Sequence, residues 1–227
     1  AGVGSAAAAL HLPLGWQFGL LIGGGTGILL LHKKVLLAGP TKRRAGAVFA
    51  VPSAALLGLA VLLFCVLFAE GAVSNWSAVY LRKGLGASAG VAGLGYAAFS
   101  AAMAIGRLYG DQLLERYPTR RVVQAGALLA SVGLGTGGLV ARPVSGIAGF
   151  FVQGIGFAVL VPALYRTAAR TPGMAPGASI AAVSSAGNVG LFTGPPLLGF
   201  VAETVGLAGA MGLVAGLAGL VALVAGP

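Results

Sequence analysis

Long apolar runs, each near the length a helix needs to cross a bilayer, alternate with short clusters of Lys and Arg. A hydrocarbon core about 30 Å thick takes roughly 20 apolar residues in a helix, and every backbone polar group within it must be bonded internally. Runs at 14–31, 48–70, 88–107, 122–141, 144–165, 177–202 and 204–226 approach that length, and 1–10 reads as the tail of one more. The expected fold class is therefore an all-α membrane protein. With 58% hydrophobic and 8% charged residues, the chain lies outside the soluble range.

Lys+Arg 14 outnumber Asp+Glu 4, yet the bases form no hydrophilic face, so no nucleic-acid partner is expected. Cys65 is the only cysteine and sits in LLFCVLF, which excludes an intrachain disulfide and reads as a small buried hydrophobe. His11 and His32 lie near span ends without partners at metal-ligand spacing, so neither a metal nor another cofactor is expected. No Ser-His-Asp set, Cys-His pair or H-E-x-x-H marks an enzyme. The sequence starts without Met and without a basic stretch before its first apolar run, so residues 1–30 do not read as a signal peptide and the chain is expected to be a fragment.

Many of the glycines fall inside the spans, where they allow close helix approach. Gly19, Gly23 and Gly27 recur every fourth residue, as do Gly212 and Gly216. GLGTGG at 133–138 formally fits G-x-G-x-x-G, but it lies within an apolar span and reads as helix packing. Asn75-Trp76-Ser77 matches a glycosylation sequon that matters only in a secretory lumen.

Short cytoplasmic loops retain positive charge. Lys33, Lys34, Lys42, Arg43, Arg44, Arg107, Arg116, Arg120, Arg121, Arg166 and Arg170 fall on one side of the expected spans, against Arg82, Lys83 and Arg142 on the other. The richer side and the C-terminus are expected in the cytoplasm, in a bacterial inner membrane. On that side lies GRLYGDQLLERYPTRR, 106–121, read as a short loop. Asp111 and Glu115 stand one helical turn apart with Arg116, Arg120 and Arg121 close behind. The cluster reads either as a latch whose ion pairs release in another conformation or as a topology anchor.

At Gly106, Gly110, Asp111, Arg116, Arg120 and Arg121 the chain resembles the major facilitator superfamily of secondary transporters. Gln112 and Pro118 depart from the pattern, where a basic residue and a glycine are usual. A second match, Gly190-x-x-x-Gly194-Pro195-Pro196-Leu197-Leu198-Gly199, is similar to that family's gating-helix motif. EGAVSNWSAVYLRKGLG and FSAAMAIGRLYGD resemble its bacterial sugar-permease-like, fucose-permease-related members. The resemblance implies two six-helix halves. On that map 1–31 holds the end of helix five and helix six, 32–47 is the cytoplasmic linker, 48–226 is the C-terminal six-helix bundle, and most of the N-terminal half is missing.

Polar residues at membrane depth normally face a bundle interior or a cavity. Span 177–202 carries Ser179, Ser184, Ser185, Asn188 and Thr193, with Ser184 and Asn188 on one face; that face should be wet. Gln153 lies among Phe150, Phe151 and Phe157, either a site for a sugar or drug-like ring or an interhelical hydrogen bond. Tyr96 joins the expected cavity. The last span, without polar side chains after Thr204, should face lipid. Glu70 reads either as a proton carrier, with a partner such as Arg82, or as a cap bonded to backbone donors around Ser74 to Trp76. Trp76 and Tyr80 read as interfacial anchors or part of an outer gate. The expected function is secondary active, proton-coupled transport of a small solute, either a sugar or an exported drug or metabolite, by alternating access in the lipid bilayer. The alternative is a scaffold or sensor domain that keeps the fold without transport.

Overall fold

A computed structural model describes residues 53–225 and isolated helical positions between Gly15 and Leu31. It divides into two compact units, Ala1–Ala45 and Gly46–Pro227. The expected segments 1–31 and 32–47, with His11 and His32, lie almost wholly outside the described residues.

Within the second unit the apolar runs become five helices: α1 Ala54–Gly84, α2 Ala89–Arg116, α3 Thr119–Leu139, α4 Pro143–Arg170 and α5 Pro176–Val224. Among the described residues there is no strand. α5 is not one rod, because Gly206 breaks its backbone at φ 77, ψ 169, a region glycine enters without a Cβ clash. The limbs 176–205 and 207–224 measure about 45 Å and about 27 Å, so α5 is long enough for two crossings.

The helix ends differ from the hydropathy boundaries. α1 starts where the Ser53 hydroxyl accepts from the Leu56 N–H at 3.3 Å, an N-cap, and it closes in a π-helical turn at Tyr80–Gly84. Glu70 is consequently inside a helix and not at its end. α2 continues to Arg116, leaving only Tyr117 and Pro118 as a turn before Thr119; proline disfavours helix at the residue before it. Most of 106–121 is therefore helical, a correction to its reading as a loop. Hydropathy falls where these helices leave the apolar layer, but their hydrogen bonding does not.

α4 is the central helix. Gly106 of α2 lies against Ala158, where a Cβ would stand 2.5 Å from the alanine methyl. On the other side Gly133 and Gly137 of α3 meet Val152 and the Ser145 carbonyl, so GLGTGG does serve packing. Gly212 and Gly216 meet nothing. Tyr80 packs edge-on to Phe150 at 6.3 Å, and Phe99 to Phe157 at 6.4 Å. The second limb of α5 buries Ala210, Met211, Val214, Ala218 and Val221 and packs on α3.

Candidate functional site

At one end of the bundle, Asp111 of α2 meets Arg166 of α4 at 3.8 Å. The partner expected from sequence, one of Arg116, Arg120 and Arg121, is not the one used. A helix carries Asp111 away from the three arginines that follow it in the chain, while Gly106 and Gly110 bring it to α4. A Cβ on Gly110 would stand 3.2 Å from the Val159 side chain, so both motif glycines set the approach of α2 to α4. The pair is exposed, 77% at Asp111 and 37% at Arg166. Water screening leaves such a contact about 0–1 kcal/mol, enough to bias a conformation but not to hold it alone.

The second group joins α1 to α5. Gly190 and Gly194 of α5 sit against the Phe64 and Phe68 carbonyl oxygens of α1. Pro195 has no N–H to give the Leu191 carbonyl, and that oxygen instead approaches the Cα of Gly71, where a side chain would not fit. One turn on, the Trp76 indole donates to the Pro195 carbonyl at 2.9 Å. Its ring lies over Gly199, 3.1 Å from where a Cβ would be. The proline break is thus clasped by α1 at one point. Trp76 is a bridge rather than a free anchor, and Tyr80 is buried at 1% rather than interfacial. The sequon lies inside α1, with Asn75 exposed and Ser77 buried.

The third group is Glu70, inside α1, and Arg107, inside α2. Glu70 is half-buried on α1 and Arg107 exposed on α2. Counted from the turn that joins these helices, Glu70 is about 21 Å down and Arg107 about 27 Å, one helical turn apart in level. Among the described residues no cation lies within 4.0 Å of the Glu70 carboxylate; Arg107 is the one at a similar level on α2. The expected partner, Arg82, stands in the last turn of α1, about 18 Å along the helix from Glu70. Ser74 and Asn75 both donate to the Gly71 carbonyl at 2.9 Å, so among the described residues no such cap reaches Glu70.

The expected cavity residues separate. Tyr96, stacked on Phe99 at 6.3 Å, and Ser184 are half-buried, and Asn188 is exposed; they lie on the uncovered surface of the bundle. Phe150, Gln153 and Phe157 are 0%, 0% and 1% exposed, enclosed because α4 is flanked on several sides. Neither amide atom of Gln153 has a hydrogen-bond partner among the described residues, so the interhelical bond does not form either. Ser179 is likewise buried without a partner among the described residues. Sequence reasoning missed Arg107, Arg166 and Trp76 as partners. All three act across between helices, which leaves no local signal in the sequence.

The sequence profile described as Major Facilitator Superfamily matches residues 59–226. An uncharacterised MFS-type transporter of Yersinia pestis is 33% identical over 188 residues, covering 83% of this chain and 49% of that protein. Membrane protein MosC of Rhizobium meliloti is 33% identical over 156 residues, covering 69% and 38%. The chain thus spans less than half the length of these relatives. The solved Escherichia coli fucose:proton symporter superposes with a TM-score of 0.68 at 18% identity, covering 75% of this chain and 42% of that one.

Proposed function

The chain belongs to the major facilitator superfamily and is a multi-pass membrane protein, and on that premise we propose that it forms part of a proton-coupled secondary transporter of a small solute. Residues 48–226 would be its second six-helix half, 1–31 the close of the first, and 32–47 the linker. The setting is a bacterial inner membrane, with the arginine-rich end and C-terminus cytoplasmic.

The observation that supports this reading most is Glu70, half-buried within the membrane-length helix α1, with Arg107 on α2 about one helical turn from its level. Charges inside a membrane are costly and mark ion pathways. With Glu70 ionised, its attraction to Arg107 holds α1 toward α2. Protonation cancels that attraction and frees α1, which is tied to α5 through Gly71 and Trp76. The proline-broken limb then moves with α1, exposing the solute to alternate sides. Tyr96, Ser184 and Asn188 contact the solute from the uncovered surface, and Gln153, between Phe150 and Phe157, joins them when the helices packed on α4 separate. The similarity to a fucose:proton symporter supports a sugar-like solute; export of a drug or metabolite uses the same parts.

Solute flux into proteoliposomes, measured across a panel with and without an imposed pH gradient, tests the reading. Glu70→Gln is expected to abolish gradient-driven accumulation while leaving exchange of solute across the membrane and protein insertion intact. Unchanged accumulation would remove Glu70 from coupling.

A further inference from the structure

One end of the bundle carries more positive charge than the chain can balance. Around the Tyr117–Pro118 turn and the close of α4 lie Arg116, Arg120, Arg121, Arg166 and Arg170, and in the same regions only Asp111 and Glu115. Asp111 pairs with Arg166, the single ion pair among the described residues. Arg120 and Arg170 are exposed and have no carboxylate within 4.0 Å among those residues.

Both stand, with Arg166, on a cleft of about 440 Å³ between α1, α3 and α4. Its floor is apolar: Leu62, Val123 and Leu164 line it and are 9%, 4% and 2% exposed. Thr119, the first residue of α3, also borders the cleft, and no side chain caps that helix start, so its free N–H groups add to the positive potential.

A soluble anion would satisfy the arginines and leave the leucine and valine floor wetted. A plain hydrocarbon would fill the floor and avoid the rim. The combination is complementary to an anionic head attached to an acyl chain, at the level where bilayer headgroups begin. We propose that this cleft binds an anionic phospholipid, its phosphate on Arg120, Arg166 and Arg170 and its first acyl methylenes on Leu62, Val123 and Leu164. Guanidinium forks suit phosphate oxygens, and basic pockets between membrane helices on the cytoplasmic side hold such headgroups.

The test is titration of the purified, delipidated protein with dioleoylphosphatidylglycerol or dioleoylphosphatidylcholine, with bound lipid counted by native mass spectrometry. Phosphatidylglycerol is expected to bind, with Arg120→Gln/Arg170→Gln weakening it on the order of 25-fold, roughly fivefold per base removed. Phosphatidylcholine binding should not change, nor should Arg142→Gln, at the opposite end, alter either lipid. Glycerol phosphate, the head without chains, should compete only in large excess. Equal phosphatidylglycerol affinity in the double variant and the unaltered protein would overturn the proposal. Full displacement by glycerol phosphate at the lipid's own concentration would also overturn it, marking a site for a soluble phosphate. If the double variant does not fold, Arg170→Gln alone decides: about fivefold weaker binding supports the site, and unchanged binding removes it.

Discussion

α4 and α5 each contain an interior proline interruption, and their surroundings differ. In α4 the backbone departs from regular helix at Val159, φ −96 and ψ −15. Pro162 explains it, since the Ala158 carbonyl loses its helical donor. Ala158, Val159 and Leu160 are 1%, 6% and 0% exposed, with Gly106 and Gly110 of α2 packed on one side and Gly126 of α3 on the other. In α5 the backbone stays helical through Pro195–Pro196, but the rings remove two helical donors, and α1 packs on one side while Leu197 and Phe200 are 47% and 67% exposed. A break enclosed by backbone-to-backbone packing is a fixed shape. One held from a single side, by a glycine seam and one indole hydrogen bond, is the one expected to act as a hinge.

Removing the rings separates the two most sharply. Pro195→Ala/Pro196→Ala should restore the two missing helical hydrogen bonds of α5, raise thermal stability and lower solute flux on the order of tenfold. Pro162→Ala should change flux less than about twofold, because the packing around Val159 keeps the bend. A larger loss of flux from Pro162→Ala would reverse the assignment of the hinge.

Trp76→Phe keeps the ring over Gly199 and removes the donor to Pro195. One hydrogen bond contributes about 1 kcal/mol, so the balance between hinge positions should move roughly fivefold. Flux and the protease sensitivity of α5 should both report it, with membrane insertion unchanged. Unaltered values for both would mean that the seam alone positions the hinge.

The smallest effect is expected at Asp111→Asn. The pair with Arg166 is exposed and long, at 3.8 Å, and lies beside the fixed break. Its loss should alter stability by no more than about 1 kcal/mol and change flux less than Trp76→Phe does. A fall in flux exceeding that of the proline variants would make the α2–α4 contact, not α5, the principal switch.

The sequence alone makes one half of this comparison visible. Gly194-Pro195-Pro196 is legible because proline and glycine act on their own backbone, and hydropathy locates the spans because it too is local. Pro162 could have been read in the same way and was passed over inside an apolar run. What surrounds each break was not legible: Trp76 and Pro195 are 119 residues apart, and Arg166 reaches Asp111 across a helix pair. Gln153 shows the same limit from the other side. An amide among phenylalanines looks identical in sequence whether it lines a cavity or is enclosed, and only the central place of α4 decides it.

Spin-label distances across the two breaks test the account most directly, with Cys65→Ala removing the native thiol. Labels at Phe200→Cys and Leu139→Cys report α5 against α3; labels at Leu108→Cys and Leu128→Cys report the helices that flank the α4 break. The account predicts a second distance for the first pair when Trp76→Phe is introduced, and a single unchanged distance for the second. A fixed first pair with a shifting second would contradict it.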